Sequence, residues 1–268
     1  MIFDGYMIAT DLDNTLLDDE HRVSERNRNA IDYFIKNGGL FTAATGRAQI
    51  AAAEQLKKFS VNAPVILHNG AKLYDFSRDE VIFEKYIEDK RKEAVRIMHE
   101  KYPFLGFEVY CSDEKAYVIS ECKYTSRLKQ RKYPTVYDPD DSLYSKNWIK
   151  LLMIADKDIL DEFEPVYRRY DNGYSVRSGD NFYDIVSDGV SKGKCLARLA
   201  KSLNTNIKNV IAVGDNMNDL SLLEAAGISY AVDNAEAQIK AAANFAAPSN
   251  NDDALCYIIN DIEKKIRR

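Results

Sequence analysis

The segment YMIATDLDNT, residues 6–15, joins a short apolar run to a pair of acids, Asp11 and Asp13. The apolar run, residues 6–10, predicts a β-strand, and in an open parallel sheet ligands bind beyond the carboxyl ends of the strands. Two carboxylates at that place can do different work, because one can point at a reacting phosphorus while the other serves as acid and base. Two acids after a strand are also ordinary turn chemistry, so this segment alone leaves both interpretations open.

Outside this segment, both ends of the sequence alternate between strand-like and helix-like stretches. Ser24 can cap a helix whose apolar side chains fall on one face, and Gly38 and Gly39 end that helix. Further strands are predicted at residues 40–44, 64–67, 210–213 and 228–232, and further helices at residues 48–59, 191–203 and 220–226. Continuous apolar strands between helices indicate a parallel sheet buried on both faces. We therefore predict an α/β fold with a Rossmann-like parallel-sheet core.

The middle of the chain has a different pattern, with helices between paired strands. Strand hairpins are predicted over residues 104–120 and 176–187, and twelve of the 17 tyrosines fall within residues 84–187. This change in composition indicates a separate α+β unit inserted into the α/β core. We predict a core made of residues 1–83 and 188–268 and an inserted unit of residues 84–187.

Composition and charge narrow the class of protein. The 268 residues are 46% apolar and 29% charged, which is typical of a globular protein of one or two domains. The formal net charge of −5 argues against a nucleic-acid partner, and no apolar run approaches the roughly 18 residues that span a bilayer. The four cysteines form no C-x-x-C pair, and the first residues lack the basic start of a signal peptide. We expect a cytoplasmic protein with reduced thiols and no membrane partner, and its oligomeric state stays open.

Two more segments place phosphate-binding chemistry at a predicted strand end and a predicted helix start. Thr45, Gly46 and Arg47 follow the second predicted strand, and a hydroxyl, a glycine and a helix N-terminus together suit a phosphate oxygen. Lys192 lies where a core helix would begin, and a cation there is unfavourable unless an anion lies nearby. A plain helix-start turn and a solvated lysine are the alternative interpretations of these two segments.

The segment GDNMND, residues 214–219, follows another predicted strand and adds Asp215 and Asp219 to the same sheet edge. It does not fit a calcium loop, because Met217 stands where an oxygen ligand is needed. Together with the acids after the first strand, these carboxylates form a set of hard oxygen ligands that suits Mg²⁺ bound beside a substrate phosphate. A helix cap is the alternative role of Asp219.

The ordered set DLDNT, ATGR, SKGK and GDNMND resembles the haloacid dehalogenase superfamily of aspartate-nucleophile phosphatases. The four motifs cover the core, and the long insertion between the second and third motifs is similar to the cap of the Cof-type subfamily. The stretches HNGA, residues 68–71, and APSNND near residue 250 fit as well. Asn14 stands where glycine is commoner in this subfamily, and Asp253-Ala254 replaces a usual Glu-Gly; neither departure removes a catalytic group.

The resemblance implies a Mg²⁺-dependent phosphomonoester hydrolase that forms an aspartyl-phosphate on Asp11. It implies that Asp13 protonates the leaving group and then activates water, which would require a pKa of Asp13 raised by neighbouring acids. The implied metal ligands are the carboxylates of Asp11 and Asp215 and the backbone carbonyl of Asp13, with Asp219 and Asn218 completing or orienting that shell. The implied phosphate- and substrate-binding residues are Leu12, Thr45, Gly46, Arg47, Lys192 and Asn218.

The resemblance also implies that the inserted unit is a cap that selects among small phosphorylated metabolites, with sugar phosphates favoured. Two alternatives stay open. One is a phosphomutase or phosphotransferase of similar architecture, which returns the phosphoryl group to a substrate. The other is a non-catalytic regulator that binds metal and phosphate.

Overall fold

A computed structural model describes residues 1–267 of the chain. In the described residues the strands are β1 (Met7–Thr10), β2 (Leu40–Ala43), β3 (Val65–Leu67), β4 (Lys72–Asp75), β5 (Glu80–Glu84), β6 (Gly106–Cys111), β7 (Ala116–Ser120), β8 (Thr135–Tyr137), β9 (Trp148–Ile154), β10 (Ser175–Arg177), β11 (Phe182–Val186), β12 (Val210–Gly214), β13 (Ile228–Val232) and β14 (Phe245–Ala247). The α-helices are α1 (Glu25–Lys36), α2 (Gln49–Leu56), α3 (Asp89–Lys101), α4 (Ser126–Gln130), α5 (Lys157–Tyr167), α6 (Lys192–Ser202), α7 (Leu220–Ala225), α8 (Ala237–Ala242) and α9 (Ala254–Ile266).

The chain divides into two units. The first contains Met1–Arg47, Ala52–Phe83 and the residues from Ser191 onward, and the second contains Ala48–Ala51 and Glu84–Val190. The inserted unit therefore extends to Val190, three residues beyond the end that the sequence pattern predicts.

The first unit is built on a parallel sheet with the strand order β14-β13-β12-β1-β2. Apolar side chains on β1 and β12 are fully buried, as the continuous apolar runs predict. Because β1 lies between β12 and β2, with Thr10 opposite both Val213 and Ala43, the loops that follow these three strands begin side by side. The parallel-sheet core is thus confirmed, and its carboxyl edge collects three of the four sequence motifs.

Local signals explain where the core helices begin. The side chain of Ser24 accepts a hydrogen bond from the backbone N–H of Asn27 at 3.1 Å and caps α1. Ser191 caps α6 in the same way, through the backbone N–H of Lys194 at 3.2 Å. The helix start at Lys192 is therefore set by the residue before it.

The third predicted core strand differs from expectation. β3 joins the parallel sheet only through one bridge, between Ala44 and Ile66, and pairs antiparallel with β4. The three-stranded sheet β3-β4-β5 that results was not predicted from the sequence. The reason is that β5 exposes Glu80, Val81 and Ile82, so it lacks the buried apolar run by which a strand is recognised.

The second unit contains a six-stranded sheet with the strand order β10-β11-β9-β6-β7-β8, antiparallel except between β7 and β8. One face of this sheet is apolar, and residues such as Phe107, Leu151 and Tyr183 pack there with buried residues of α3 and α5. The α+β character of the insertion is confirmed. The short strand β8 adds to the predicted pattern.

The opposite face of the same sheet carries charged side chains near its middle. Glu108 on β6 lies opposite Leu152, which in turn lies opposite Asp184 on β11. Arg127 binds both carboxylate oxygens of Glu108 at 2.6 Å, and Lys150 lies 2.8 Å from Asp184. Each of these buried charges therefore has a partner of opposite sign. Such a partner is needed because an unpaired buried charge is strongly destabilising.

Candidate active site

Asp11 is the first residue after β1, and its backbone N–H donates to the carbonyl of Val213 at 2.9 Å. This bond fixes the backbone of Asp11 to the end of β12. The chain then makes a tight turn over residues 12–16, in which Asn14 takes the left-handed conformation with φ 57°. Asparagine tolerates this conformation better than most residues, so it can stand where glycine is commoner in the subfamily.

Lys192 links two of the motifs. Its Nζ donates to Oδ1 of Asp11 and to Oδ1 of Asp219, each at 2.6 Å, and its side chain is fully buried. Burial lowers the pKa of Lys192, but the charges and hydrogen bonds of Asp11 and Asp219 outweigh it and hold the pKa above its ordinary value. The buried ammonium at the start of α6 therefore has the nearby anions that its position requires.

Asp219 shapes the turn that presents Asp215. Its Oδ2 accepts hydrogen bonds from the backbone N–H of Asp215 at 3.0 Å and of Asn216 at 3.2 Å. A Cβ on Gly214 would lie 2.5 Å from the Cβ of Asp219, so this approach needs glycine. Thr15 Oγ1 donates to Oδ1 of Asp215 at 2.7 Å and so orients that carboxylate toward the loop after β1.

Asp11, Asp215 and Asp219 form a buried acidic cluster in which one carboxylate oxygen from each lies within 4.8 Å of the others. Burial raises the pKa of Asp11 well above its ordinary value, and the charges of Asp219 and Asp215 add to this against the opposing charge of Lys192. Burial, followed by the charge of Asp219, raises the pKa of Asp215 to about 7.

Three carboxylates and one ammonium leave an excess of negative charge among hard oxygen donors. This donor set fits a divalent cation such as Mg²⁺. Both oxygens of Asp219 already accept hydrogen bonds, from Lys192 and from backbone N–H groups. Asp11 and Asp215 are therefore the carboxylates best placed to hold the ion directly, with Asp219 supporting them.

The environment of Asp13 contradicts the expected rise in its pKa. Arg47 donates to both of its oxygens, from Nε to Oδ2 at 2.8 Å and from Nη2 to Oδ1 at 2.5 Å. Burial raises the pKa of Asp13, but the hydrogen bonds and charge of Arg47, helped by His21 and Lys192, lower it overall. The prediction was wrong because a guanidinium, rather than the neighbouring acids, dominates the surroundings of this carboxylate.

The segment around Thr45 forms a turn between β2 and α2, and α2 begins at Gln49, one residue after the helix start that the sequence predicts. Thr45 Oγ1 accepts the backbone N–H of Arg47 at 3.1 Å, and the backbone N–H of Thr45 donates to Ile66 at 2.8 Å. The Arg47 side chain, expected at the substrate, is paired with Asp13.

The remaining predicted residues have distinct surroundings. The Leu12 side chain is fully buried in the core, so only its backbone can serve a phosphate. Asn218 is 8% exposed, and its Nδ2 donates to Oδ1 of Asn69 at 3.3 Å. Gly46 lies against the same side chain, because a Cβ there would be 2.9 Å from Asn69 Oδ1.

Two residues of the site were not assigned roles from the sequence. Thr15 orients Asp215, and Asn69 contacts Asn218 and the turn at Gly46. Each lies in a stretch that the resemblance includes, DLDNT and HNGA, so the signal was membership of a motif. Residue type alone does not show which long-range partner each would find.

The buried charged groups of the site indicate the kind of chemistry that it can perform. A buried lysine bridging two aspartates, beside a third carboxylate at the carboxyl edge of a parallel sheet, suits phosphoryl transfer to or from a carboxylate. No helix within residues 1–267 combines the length and the apolar character that crossing a membrane would need.

The family model for haloacid dehalogenase-like hydrolases matches residues 8–259, and the chain belongs to this family. The Bacillus subtilis phosphatase YwpJ is 27% identical over 283 residues, covering 96% of this chain and 99% of that protein. The Bacillus subtilis 5-amino-6-(5-phospho-D-ribitylamino)uracil phosphatase YwtE is 26% identical over 281 residues, covering 95% of this chain and 97% of that protein. A solved haloacid dehalogenase-like hydrolase from Bacillus subtilis has a TM-score of 0.84 and 26% identity, covering 95% and 99% of the two chains. The resemblance to Cof-type members is confirmed, and the protein is an enzyme, a phosphatase of this family.

Proposed function

We propose that the protein hydrolyses phosphomonoesters of small metabolites with Mg²⁺, through an aspartyl-phosphate on Asp11. The observation that carries this proposal is the position of Lys192, whose Nζ lies 2.6 Å from both Asp11 and Asp219. A buried ammonium fixed on the nucleophile can hold the Asp11 carboxylate in place and offset the charge of an incoming phosphate.

In the first step, the Asp11 oxygen that Lys192 does not hold attacks phosphorus. The new Oδ–P bond forms as the ester P–O bond breaks, and the electron pair leaves with the alkoxide. Repulsion between Asp11 and a phosphate amounts to about 4 kcal/mol per unit charge pair at 4 Å and an effective dielectric near 20. Lys192 offsets part of this repulsion, and Mg²⁺, when bound at Asp11 and Asp215, supplies the remaining positive charge.

Asp13 is the residue we assign to proton transfer. It gives a proton to the leaving alkoxide and later takes one from the water that attacks the aspartyl-phosphate. In that second step the bond from the water oxygen to phosphorus forms as the Oδ–P bond breaks, which releases phosphate and restores the Asp11 carboxylate. Its pairing with Arg47 keeps it ionised in the substrate-free protein, so it must gain a proton after that pairing weakens. We propose that a bound phosphate draws the Arg47 guanidinium away from Asp13, which removes the main cause of the lowered pKa.

The proposal is tested with Asp11→Asn and with Asp32→Asn as the matched control on the exposed side of α1. Release of inorganic phosphate from 4-nitrophenyl phosphate is measured with Mg²⁺ and again with a chelator. We expect turnover in the wild type and the control, loss of at least about 10³-fold in Asp11→Asn, and loss on chelation. Reduction of the trapped acyl phosphate with borohydride should convert residue 11 to homoserine.

The same experiment separates the alternatives. A phosphomutase would move phosphate between positions of one substrate with little release of inorganic phosphate. A non-catalytic regulator would bind Mg²⁺ and phosphate without turnover. Near-wild-type turnover in Asp11→Asn would end the assignment of the nucleophile.

For substrate class, we propose sugar phosphates and related phosphorylated polyols. The relative YwtE is named for a ribityl phosphate, a phosphorylated chain of hydroxyl-bearing carbons. A panel of sugar, ribityl, flavin and pyridoxal phosphates, compared by kcat/KM, tests this class directly. A preference for the aromatic phosphates over every polyol phosphate would contradict it.

We also propose that the inserted unit selects the substrate. Support comes from the sheet face that carries Lys150 and Asp184, since buried charges there cost stability that an apolar pair would not. The paired change K150M/D184N removes both charges together, and K157M/D161N does the same for an exposed ion pair on α5. We expect only the first pair to change the order of kcat/KM across the panel. An unchanged order in both would contradict a role for this face.

A further inference from the structure

Three consecutive residues, His68, Asn69 and Gly70, have left-handed backbone conformations, with φ values of 50°, 55° and 96°. Side-chain-bearing residues rarely adopt this conformation, and two together are costly unless the surrounding structure demands them. The turn directly follows β3, and its residue Asn69 contacts Asn218, in the segment that also carries Asp215 and Asp219. The phosphatase chemistry described above leaves it without a role.

Through its backbone, this turn contacts two other site-bearing segments of the core. The backbone N–H groups of His68 and Asn69 donate to the carbonyls of Arg47 and Thr45, each at 3.1 Å. Gly70 lies so close to the start of α6 that a Cβ on it would be 2.2 Å from the carbonyl oxygen of Ser191. The turn therefore connects the Thr45 segment to the residue that precedes Lys192.

The side chain of Asn69 adds a third connection. It is 1% exposed, and its Oδ1 accepts a hydrogen bond from Asn218 Nδ2 at 3.3 Å. Its own Nδ2 is buried and has no hydrogen-bond partner within residues 1–267. A buried amide donor without a partner costs stability, as does the positive φ of the same residue. Glycine would avoid both costs, and what it would give up is the hydrogen bond that Asn69 accepts from Asn218.

We propose that Asn69 is a positioning residue that fixes Asn218 relative to the phosphate-facing turn at Thr45 and Gly46. Of this inference, only the expected effect on turnover rests on the proposed function. The backbone of the turn holds the Thr45 segment in position, and the Asn69 side chain holds Asn218 in position relative to that segment. A shift of about 1 Å in such a group can cost on the order of 10²-fold in rate.

The first test compares Asn69→Gly with Asn204→Gly. Asn204 has a φ of 53° and is exposed on the same unit. Replacing it with glycine therefore removes the same kind of backbone strain at a position away from the site. We expect Asn69→Gly to keep or raise Tm while kcat falls about 10- to 100-fold, with KM within about threefold because Lys192 still binds the phosphate. Asn204→Gly should keep its kcat. A fall in Tm that parallels the loss of kcat, or an unchanged kcat, would overturn the proposal.

The second test asks whether the effect passes through Asn218. If it does, the double variant N69G/N218A turns over no more slowly than Asn218→Ala alone. Multiplying losses would show that the two residues act independently and would overturn the proposal.

The third test does not depend on turnover. Amide hydrogen exchange in Asn69→Gly should be faster over residues 44–48 and 216–219, and unchanged over α9, relative to wild type. Unchanged exchange in both segments would overturn the positioning role. If the wild type itself released no phosphate, the proposed function would fail, and the exchange comparison would still decide whether Asn69 positions these segments.

Discussion

Replacing Asp215 with asparagine should stabilise the metal-free protein and remove its response to Mg²⁺. The amide introduced by D215N keeps an oxygen that can accept the hydrogen bond from Thr15, which is 2.7 Å in the wild type, so the turn is retained. What the variant loses is one negative charge from the buried cluster with Asp11 and Asp219. The same charge that destabilises the metal-free fold is the one that we propose binds the ion.

The magnitude follows from the pKa of Asp215, which rises from its ordinary value of 3.8 to about 7. Between these two pH values the folded protein binds more protons than the unfolded chain, so stability falls as pH rises through this window. Above about pH 7 the full penalty is present, and about three pKa units correspond to roughly 4 kcal/mol. We therefore expect D215N to gain up to about 4 kcal/mol near pH 8, and less than about 2 kcal/mol near pH 5.

Thermal unfolding followed by circular dichroism measures this gain. For a protein of this size, about 4 kcal/mol corresponds to a Tm higher by roughly 5–10 °C in a chelator at pH 8. Millimolar Mg²⁺ should raise the Tm of the wild type and leave that of D215N nearly unchanged, because only the wild type keeps the proposed ligand. A variant no more stable than the wild type at pH 8, or one with an equal response to Mg²⁺, would refute the reasoning.

Three further predictions concern other charged and polar contacts. Arg47→Met removes the guanidinium that outweighs the effect of burial on the pKa of Asp13, so this pKa should rise. A carboxyl-carbon NMR titration of Asp13 that shows no rise would contradict the prediction. Arg127→Met leaves the fully buried Glu108 without its cation, so the free energy of unfolding in urea should fall by about 3–5 kcal/mol. A second change, of Glu108 to leucine, should restore most of this loss. Ser24→Ala removes the cap of α1 and should cost about 1 kcal/mol by the same measurement, whereas a loss below a few tenths would show that water replaces the cap.

The core could be predicted from sequence because its signals are local and repeated. The strands before Asp11 and Gly214 are continuous apolar runs, and each is followed at once by polar residues. Parallel pairing then brings their ends to one edge regardless of the distance along the chain. The caps at Ser24 and Ser191 are equally local, since each bonds to the residue three positions later. The order of the motifs and the positions of the strand ends were therefore enough to predict which residues lie together in the candidate site.

The parts that were not predicted depend on contacts that sequence periodicity does not contain. β5 is an exposed strand, and its pairing in the sheet β3-β4-β5 cannot be read from a buried apolar run. The lowered pKa of Asp13 depends on a guanidinium 34 positions away turning toward it rather than toward solvent. The contact between Asn69 and Asn218 spans 149 positions and involves two neutral amides, which leave no charge pattern to follow.

The charges of the candidate site predict that binding of phosphate and binding of a divalent cation depend on each other. Asp13 and Arg47 form a neutral pair, whereas Asp11, Asp215 and Asp219 face a single ammonium, Lys192. With all carboxylates ionised this cluster carries a charge of about −2, and a phosphate dianion would double it in a buried space. Each uncompensated pair of unit charges costs about 4 kcal/mol at 4 Å and an effective dielectric near 20, which is more than any single hydrogen bond to phosphate returns. Protons relieve the cluster in the metal-free protein, as the raised pKa of Asp215 indicates, but a protonated cluster can no longer hold a cation for the phosphate. A divalent ion brings the charge of the cluster from about −2 to about zero before phosphate binds, and it leaves the carboxylate of Asp11 ionised, which protonation cannot do.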